Sequence, residues 1–253
     1  MRKAQFFYLL RRGLLSGGLN FIKEGLVMAS KFITQGLSFP AQGSAEFNGT
    51  SDYIQTNTPF SYTNHTIAGW CYVDDNALNK FVFDNRDGND DGIRVFFATN
   101  EVLYYSVNAA DINSGAAQPL NEWLYFSATY NGTTAKLYID GSLSAELNTS
   151  QTTNTTTNAR IGSTFGGNDY YKGNLANVAI WNRALSSDEI NSVMWKSYEA
   201  LSGAESNGLQ AWYSLDDISS PAASLANMEQ LATDKNATIE NKAAVTAAIN
   251  ALS

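Results

Sequence analysis

Cysteine and histidine are almost missing from this chain. A single cysteine, Cys71, in 253 residues excludes an internal disulfide framework, and its place after Trp70 in a strand-like run reads as a small buried hydrophobe. A single histidine, His65, is too few for a multi-histidine metal site and does not easily assemble a nucleophilic triad. Charge is also sparse at 16%, and Asn, Thr and Ser fill its place, as suits an extracellular or particle-borne β-protein. No apolar run approaches the ~20 residues of a membrane span. No strand-like segment carries two acids in alternation, so paired carboxylates for glycoside cleavage are not in view, and the expectation is a protein that is not an enzyme.

The charge that is present is unevenly placed. Residues 1–31 hold six basic residues against Glu24, a net +5, which leaves −13 for the remainder of a chain whose total is −8. A basic arm therefore precedes an acidic body. The arm alternates apolar stretches with Arg11-Arg12 and Lys23-Glu24 and shows no clear cleavage site, so neither a secretory signal nor a twin-arginine leader is expected. Phe6, Phe7, Leu10, Leu14 and Leu15 form a partly helical apolar stripe that Gly13, Gly17 and Gly18 weaken. Packing across its own domain is one reading. Docking on an acidic neighbour, either a protein shell or a membrane surface, is the other, through Phe6, Phe7, Leu10, Arg11, Arg12 and Leu14. Nucleic acid is not an expected partner, because the acidic body would repel phosphates.

From residue 44 the pattern becomes that of short strands. Ser44 to Ile54 reads as two strands about an Asn48-Gly49 hairpin turn. Thr66 to Val73, Lys80 to Phe83, Ile93 to Ala98, Val102 to Val107 and Trp123 to Tyr130 follow. Asn131-Gly132 then turns into Lys136 to Ile139, and Asp140-Gly141 makes the next turn. Residues 148–158, NTSQTTNTTTN, read as a polar loop or edge. Leu175, Val178, Ile180 and Trp181 mark a strand that runs into Ser186-Ser187-Asp188-Glu189, a capping box opening a helix. Ile190, Val193, Met194, Tyr198 and Leu201 extend one helical face that Gly203 can end, and Gly208 to Ser214 returns to strand. From Pro221 the chain is Ala-rich, and two short helices are expected.

The segments Glu46-Phe47-Asn48-Gly49 with Tyr53-Ile54, Thr66-Ile67-Ala68-Gly69-Trp70, Glu122-Trp123, Leu137-Tyr138-Ile139-Asp140-Gly141, Arg160-Ile161-Gly162 and Tyr171 to Ile190 occur in this order. Together they resemble the laminin G-like, concanavalin A-like jelly-roll domains over about residues 44–195. The resemblance implies an all-β chain: a two-sheet antiparallel sandwich at 41–215, between an N-terminal arm at 1–40 and a helical tail at 216–253. The E-x-D-x-x-E motif of polysaccharide-cleaving relatives is absent. Because similar domains recur in phage virion proteins, the resemblance implies a structural or decoration protein at a virion surface, docked through its arm to a capsid or tail partner or to copies of itself. The alternative is a carbohydrate-binding or adhesion module at a cell surface.

Two places invite ligands. Asp87, Asn89 and Asp91 open a D-x-N-x-D-G calcium loop, but Ala98 stands at the twelfth position where a bidentate acid would close it. Calcium is the candidate cofactor, and a plain Asn/Asp/Gly hairpin turn is the alternative. Tyr105, Phe165, Asn168, Asp169 and Tyr170 are candidates for a glycan rim, with rings for stacking and polar groups beside them.

Overall fold

A computed structural model describes residues 44–75, 79–87, 91–153 and 156–215. The arm, with all six of its candidate docking residues, lies outside them, as do Asn89 and the Ala-rich tail. Among the described residues thirteen strands form two antiparallel sheets. Sheet A takes the order β1 (Ala45–Asn48), β12 (Lys172–Trp181), β3 (Asn64–Val73), β8 (Trp123–Asn131), β9 (Thr134–Ile139) and β10 (Ser142–Asn148), and β13 (Leu209–Tyr213) also pairs with β12. Sheet B takes the order β2 (Ile54–Pro59), β11 (Asn158–Ile161), β4 (Lys80–Asp84), β5 (Ile93–Phe97), β6 (Val102–Val107) and β7 (Ala110–Ala117). The jelly-roll expectation holds.

Alternation builds the core. On β5 Ile93, Val95 and Phe97 face the opposite sheet, and on β6 Leu103, Tyr105 and Val107 do the same. From sheet A they meet Ile67, Cys71, Phe126, Leu137, Leu175 and Ile180. Each such large side chain removed from water contributes roughly 1.5–3 kcal/mol. Hairpins join neighbours where the turn chemistry demands. Asp140 (φ 48°) and Gly141 (φ 77°) both adopt left-handed backbone between β9 and β10, and the Asn131 side chain accepts the Thr133 and Thr134 amides between β8 and β9.

Asn48-Gly49 is not a hairpin. β1 pairs with β12 in sheet A, whereas β2 pairs with β11 in sheet B. Residues 49–53 therefore carry the chain from one sheet to the other. Asn48 Oδ1 accepts the amides of Thr50, Ser51 and Asp52 at 2.8, 2.9 and 3.3 Å, which makes a tight corner, and Phe47 and Ile54 reach the same core from opposite sheets.

The expected capping box is present. Ser186 Oγ accepts the Glu189 amide at 3.3 Å, Glu189 accepts the Ser186 amide at 2.9 Å, and helix α1 spans Ser187–Val193. The helix is shorter than the apolar spacing predicts. The Met194 carbonyl accepts Trp70 Nε1–H at 3.0 Å, Trp195 packs on the Trp70 ring, and only a 3-10 turn, Tyr198–Ala200, follows. Behind them Glu205 gathers Ser192 Oγ, Lys196 Nζ and the Ser202 amide. Burial opposes its charge, yet these donors outweigh burial and lower its pKa to about 2. This layer covers one face of sheet A, the face opposite the core.

Candidate functional site

The site lies on sheet B, on the face turned away from the core. Ile54, Ala159, Ile161, Val95 and Leu103 point inward, so their chain neighbours Tyr53, Arg160, Arg94 and Tyr104 point out. Strand register then sets polar residues side by side. Gln55 on β2 opposes Arg160 on β11, which opposes Asp84 on β4, then Arg94 on β5, Ser106 on β6 and Asp111 on β7. Next to this row stand three stacked rings. Phe81 lies 4.8 Å from Phe96, and Phe96 lies 5.2 Å from Tyr104. Arg86 and Arg94 hold their guanidinium groups 5.6 and 5.5 Å from Phe81 and Phe96.

A loop at one end of the row completes the site. After β11, Thr164 organises the turn. Its carbonyl accepts the Gly167 amide at 3.0 Å, its hydroxyl accepts the amides of Asn168 and Asp169 at 3.1 and 3.3 Å, and its own amide donates to the Asp169 carbonyl at 3.0 Å. Two outside groups then pin the loop to the sheet. Arg160 Nη1 donates to the Thr164 carbonyl at 3.2 Å, and the Phe165 amide donates to Asp84 Oδ2 at 3.2 Å. Asp84 is fully buried and also holds Arg86 through Nε and Nη2, at 3.0 and 2.8 Å. The Arg160 guanidinium lies 4.4 Å over the Tyr53 ring. A rigid turn therefore presents Phe165, which is 39% exposed and is the one exposed aromatic ring among the described residues.

Four of the five rim candidates come together here: Phe165 and Asn168 exposed, Asp169 and Tyr170 half-buried. Tyr105 does not join them. It points between the sheets with no exposed surface, and its hydroxyl meets His65 Nε2 at 2.6 Å. Because a ring with no exposed face cannot stack on a ligand, its partner in the sequence, Tyr104, is the one that faces outward. Burial, and after it the neighbouring Tyr130, pushes the Tyr105 phenol well above its ordinary pKa. His65 is itself buried and hydrogen-bonded between the Tyr62 carbonyl and Tyr105, a link between the two sheets.

Of the calcium candidates, Asp87 is half-buried and Asp91 exposed, and the Asp87 amide donates to the Asp91 carbonyl at 3.3 Å, the bond of a hairpin turn. Among the described residues no three His, Cys, Asp or Glu gather as metal ligands. Tyr53, Asp84, Arg86 and Arg160 are site residues that sequence reading passed over. A signal for two of them was available: Tyr53-Ile54 and Arg160-Ile161 each put a polar-tipped residue beside a core isoleucine, and alternation turns it to the open face.

Residues 48–191 match the family model of the concanavalin A-like lectin/glucanases superfamily. No curated protein matches the sequence. Among solved structures the chain is similar to a proposed carbohydrate-binding protein from Bacteroides ovatus (TM-score 0.56, 16% identity, 70% of this chain and 52% of that one), so it spans about half of that protein's length. It is also similar to the CBM40 domain of a Ruminococcus gnavus sialidase bound to α2,3-sialyllactose (TM-score 0.52, 14% identity, 60% and 97% covered). A third is domain 4 of an extracellular arabinanase from Geobacillus stearothermophilus in complex with arabinotriose (TM-score 0.50, 14% identity, 59% and 75% covered). At these identities the likeness is one of fold.

Proposed function

The chain belongs to the concanavalin A-like lectin/glucanases superfamily, and on that premise we propose that it is a carbohydrate-binding module which holds a sugar against Phe165 on the outer face of sheet B. The observation that carries this reading is the exposed Phe165 ring on a turn fixed by Thr164, Arg160 and Asp84. A ring held still beside hydrogen-bonding groups offers the apolar face and the polar edge that a sugar needs. Sheet-fold neighbours that hold sialyllactose and arabinotriose lend it support. Glycan-array screening of the whole chain followed by calorimetry on the best hit tests it. Phe165→Ala is expected to weaken binding about tenfold with an unchanged melting temperature, since one ring–sugar contact is worth about 1 kcal/mol or somewhat more. A chain that retains no glycan, or a variant that binds as well as the parent, would sink the reading.

The module's setting is the second part of the proposal. The basic arm docks onto an acidic capsid or tail partner, or onto sister copies, and displays the sandwich as a non-enzymatic decoration protein of a virus particle, a bacteriophage in particular. This rests on the +5 arm ahead of a −13 body and on the laminin G-like resemblance. Amine cross-linking of the source assembly, mapped by mass spectrometry, is expected to join Lys3, Lys23 or Lys31 to an abundant shell or tail protein or to a second copy. Links confined to the chain's own sandwich would overturn the docking role and leave an adhesion module.

A further inference from the structure

Arg160 stands apart from the other cations of the sandwich. Among the described residues, every other Lys and Arg forms an ion pair with an Asp or Glu within 4 Å. Arg160 forms none, although two carboxylates are close by in the fold. Asp84 sits directly opposite it in the β11–β4 register, but its oxygens are taken by the Arg86 amide, Nε and Nη2 and by the Phe165 amide. Asp169, on the same loop, forms no ion pair with it. The guanidinium is nonetheless held in place, with one face on the Tyr53 ring at 4.4 Å and Nη1 on the Thr164 carbonyl at 3.2 Å. Its orientation is thus fixed before any ligand arrives, and no described carboxylate oxygen lies within 4 Å of it.

We infer that Arg160 is the anion receptor of the Phe165 site, and that the sugars the site takes carry a carboxylate. The inference rests on the carbohydrate reading and narrows its ligand class. A planar guanidinium offers two parallel N–H donors that match the two oxygens of a carboxylate. Thr164 connects the receptor to the ring, because its carbonyl is bound by Arg160 and the next residue is Phe165. On this reading a sugar lying on Phe165 turns its acidic substituent toward the guanidinium bound to the preceding residue, Thr164. Long-range steering cannot be the source of binding, since the body carries −13 and repels anions. The attraction is local, so recognition depends on this one side chain and not on a basic surface. Asp169 works against it from the same loop.

Calorimetry on the full chain tests the inference with two matched pairs of probes: sialyllactose against lactose, and galacturonic acid oligomers against galactose oligomers. The two acidic probes separate a sialic acid from a hexuronic acid as the source of the carboxylate. At least one acidic probe is expected to bind ten times more tightly than its neutral partner, and the preference is expected to shrink as salt rises. Arg160→Gln should abolish that preference, so that acidic and neutral partners bind alike whatever the loosened turn does to both, and Arg160→Lys should keep part of it. Asp169→Asn should increase affinity for the acidic probe two- to fivefold, a gain that a purely structural role of the loop would not produce. Should Arg160→Gln fail to fold, the Lys and Asn variants decide the matter. Equal binding of acidic and neutral sugars, or an acidic preference that survives Arg160→Gln, overturns the inference and leaves the carbohydrate reading standing. If no sugar binds at all, the carbohydrate reading falls and takes the inference with it.

Discussion

Gly173→Ala is expected to destabilise the sandwich by about 4 kcal/mol or more, enough to leave little folded protein from a domain of ordinary stability. Gly173 lies on β12 between Phe47 of β1 and Val73 of β3, paired on both sides in sheet A. Its φ is +133°, a conformation that side chains rarely adopt. A Cβ there would stand 1.9 Å from the Tyr72 carbonyl oxygen. That oxygen belongs to backbone held on several sides: it accepts the Tyr171 hydroxyl at 3.1 Å, and the Asp74 amide donates to the Lys172 carbonyl at 3.2 Å. The clash cannot be relieved by turning a side chain. Gly203→Ala is the control, because a Cβ at Gly203 meets nothing within 4 Å, and its effect should stay within about 0.5 kcal/mol. Urea unfolding of both variants checks the pair, and equal midpoints would refute the argument.

Acidification is the second large effect. His65 has no exposed surface, and burial lowers its pKa from 6.5 to about 4, an effect that its bond to the Tyr62 carbonyl offsets only in part. A carbonyl can only accept, so Nδ1 carries the proton and Nε2 accepts from the Tyr105 hydroxyl. Protonation would place a second donor against that hydroxyl and a charge between the sheets. The folded-state pKa lies below the unfolded one, so between the two values the unfolded chain binds the extra proton. Stability is therefore whole above pH 6.5 and is lost as the pH falls from about 6.5 to about 4, by about 3 kcal/mol in all. Glu205 acts in a lower window. Its folded pKa of about 2 lies under the ordinary value of 4.5, so its contribution is present above 4.5 and disappears toward 2. Thermal melts at half-unit intervals should show both stages, and His65→Gln should flatten only the upper one. Parallel slopes for parent and variant would remove His65 as the cause.

Local chemistry was legible wherever it acts over a few residues. Ser186 and Glu189 are three positions apart, and that spacing alone makes the capping box. Asn131-Gly132 and Asp140-Gly141 turn hairpins because their backbones accept left-handed or tight geometry without help from a partner strand. The alternation of Ile93, Val95 and Phe97 likewise predicts a one-sided strand wherever it sits. β12 shows where alternation stops being enough. Leu175, Val178 and Ile180 all face the core although the first two are three apart, because the pairing with β3 slips between Ala176 and Ala179, where Asn177 takes a φ of 49°. Trp181 then faces the other side, beneath the Glu205 carbonyl, to which its indole donates at 2.8 Å.

The sequence by itself determined the class of fold, the family, the cap and the hairpin turns, since each follows from periodicity or from residues within one turn of each other. Only the tertiary structure decided which sheet each strand enters. Asn48-Gly49 has the residues of a hairpin, yet the strands after and before it find partners far along the chain in β11 and β12. It also decided which member of the Tyr104-Tyr105 pair faces outward, because that depends on where the second sheet lies. The candidate site is of the same kind: Tyr53, Asp84, Arg160 and Phe165 meet because β2, β11 and β4 are neighbours, and pairing between distant strands is set by the energy of the whole core and not by any local signal.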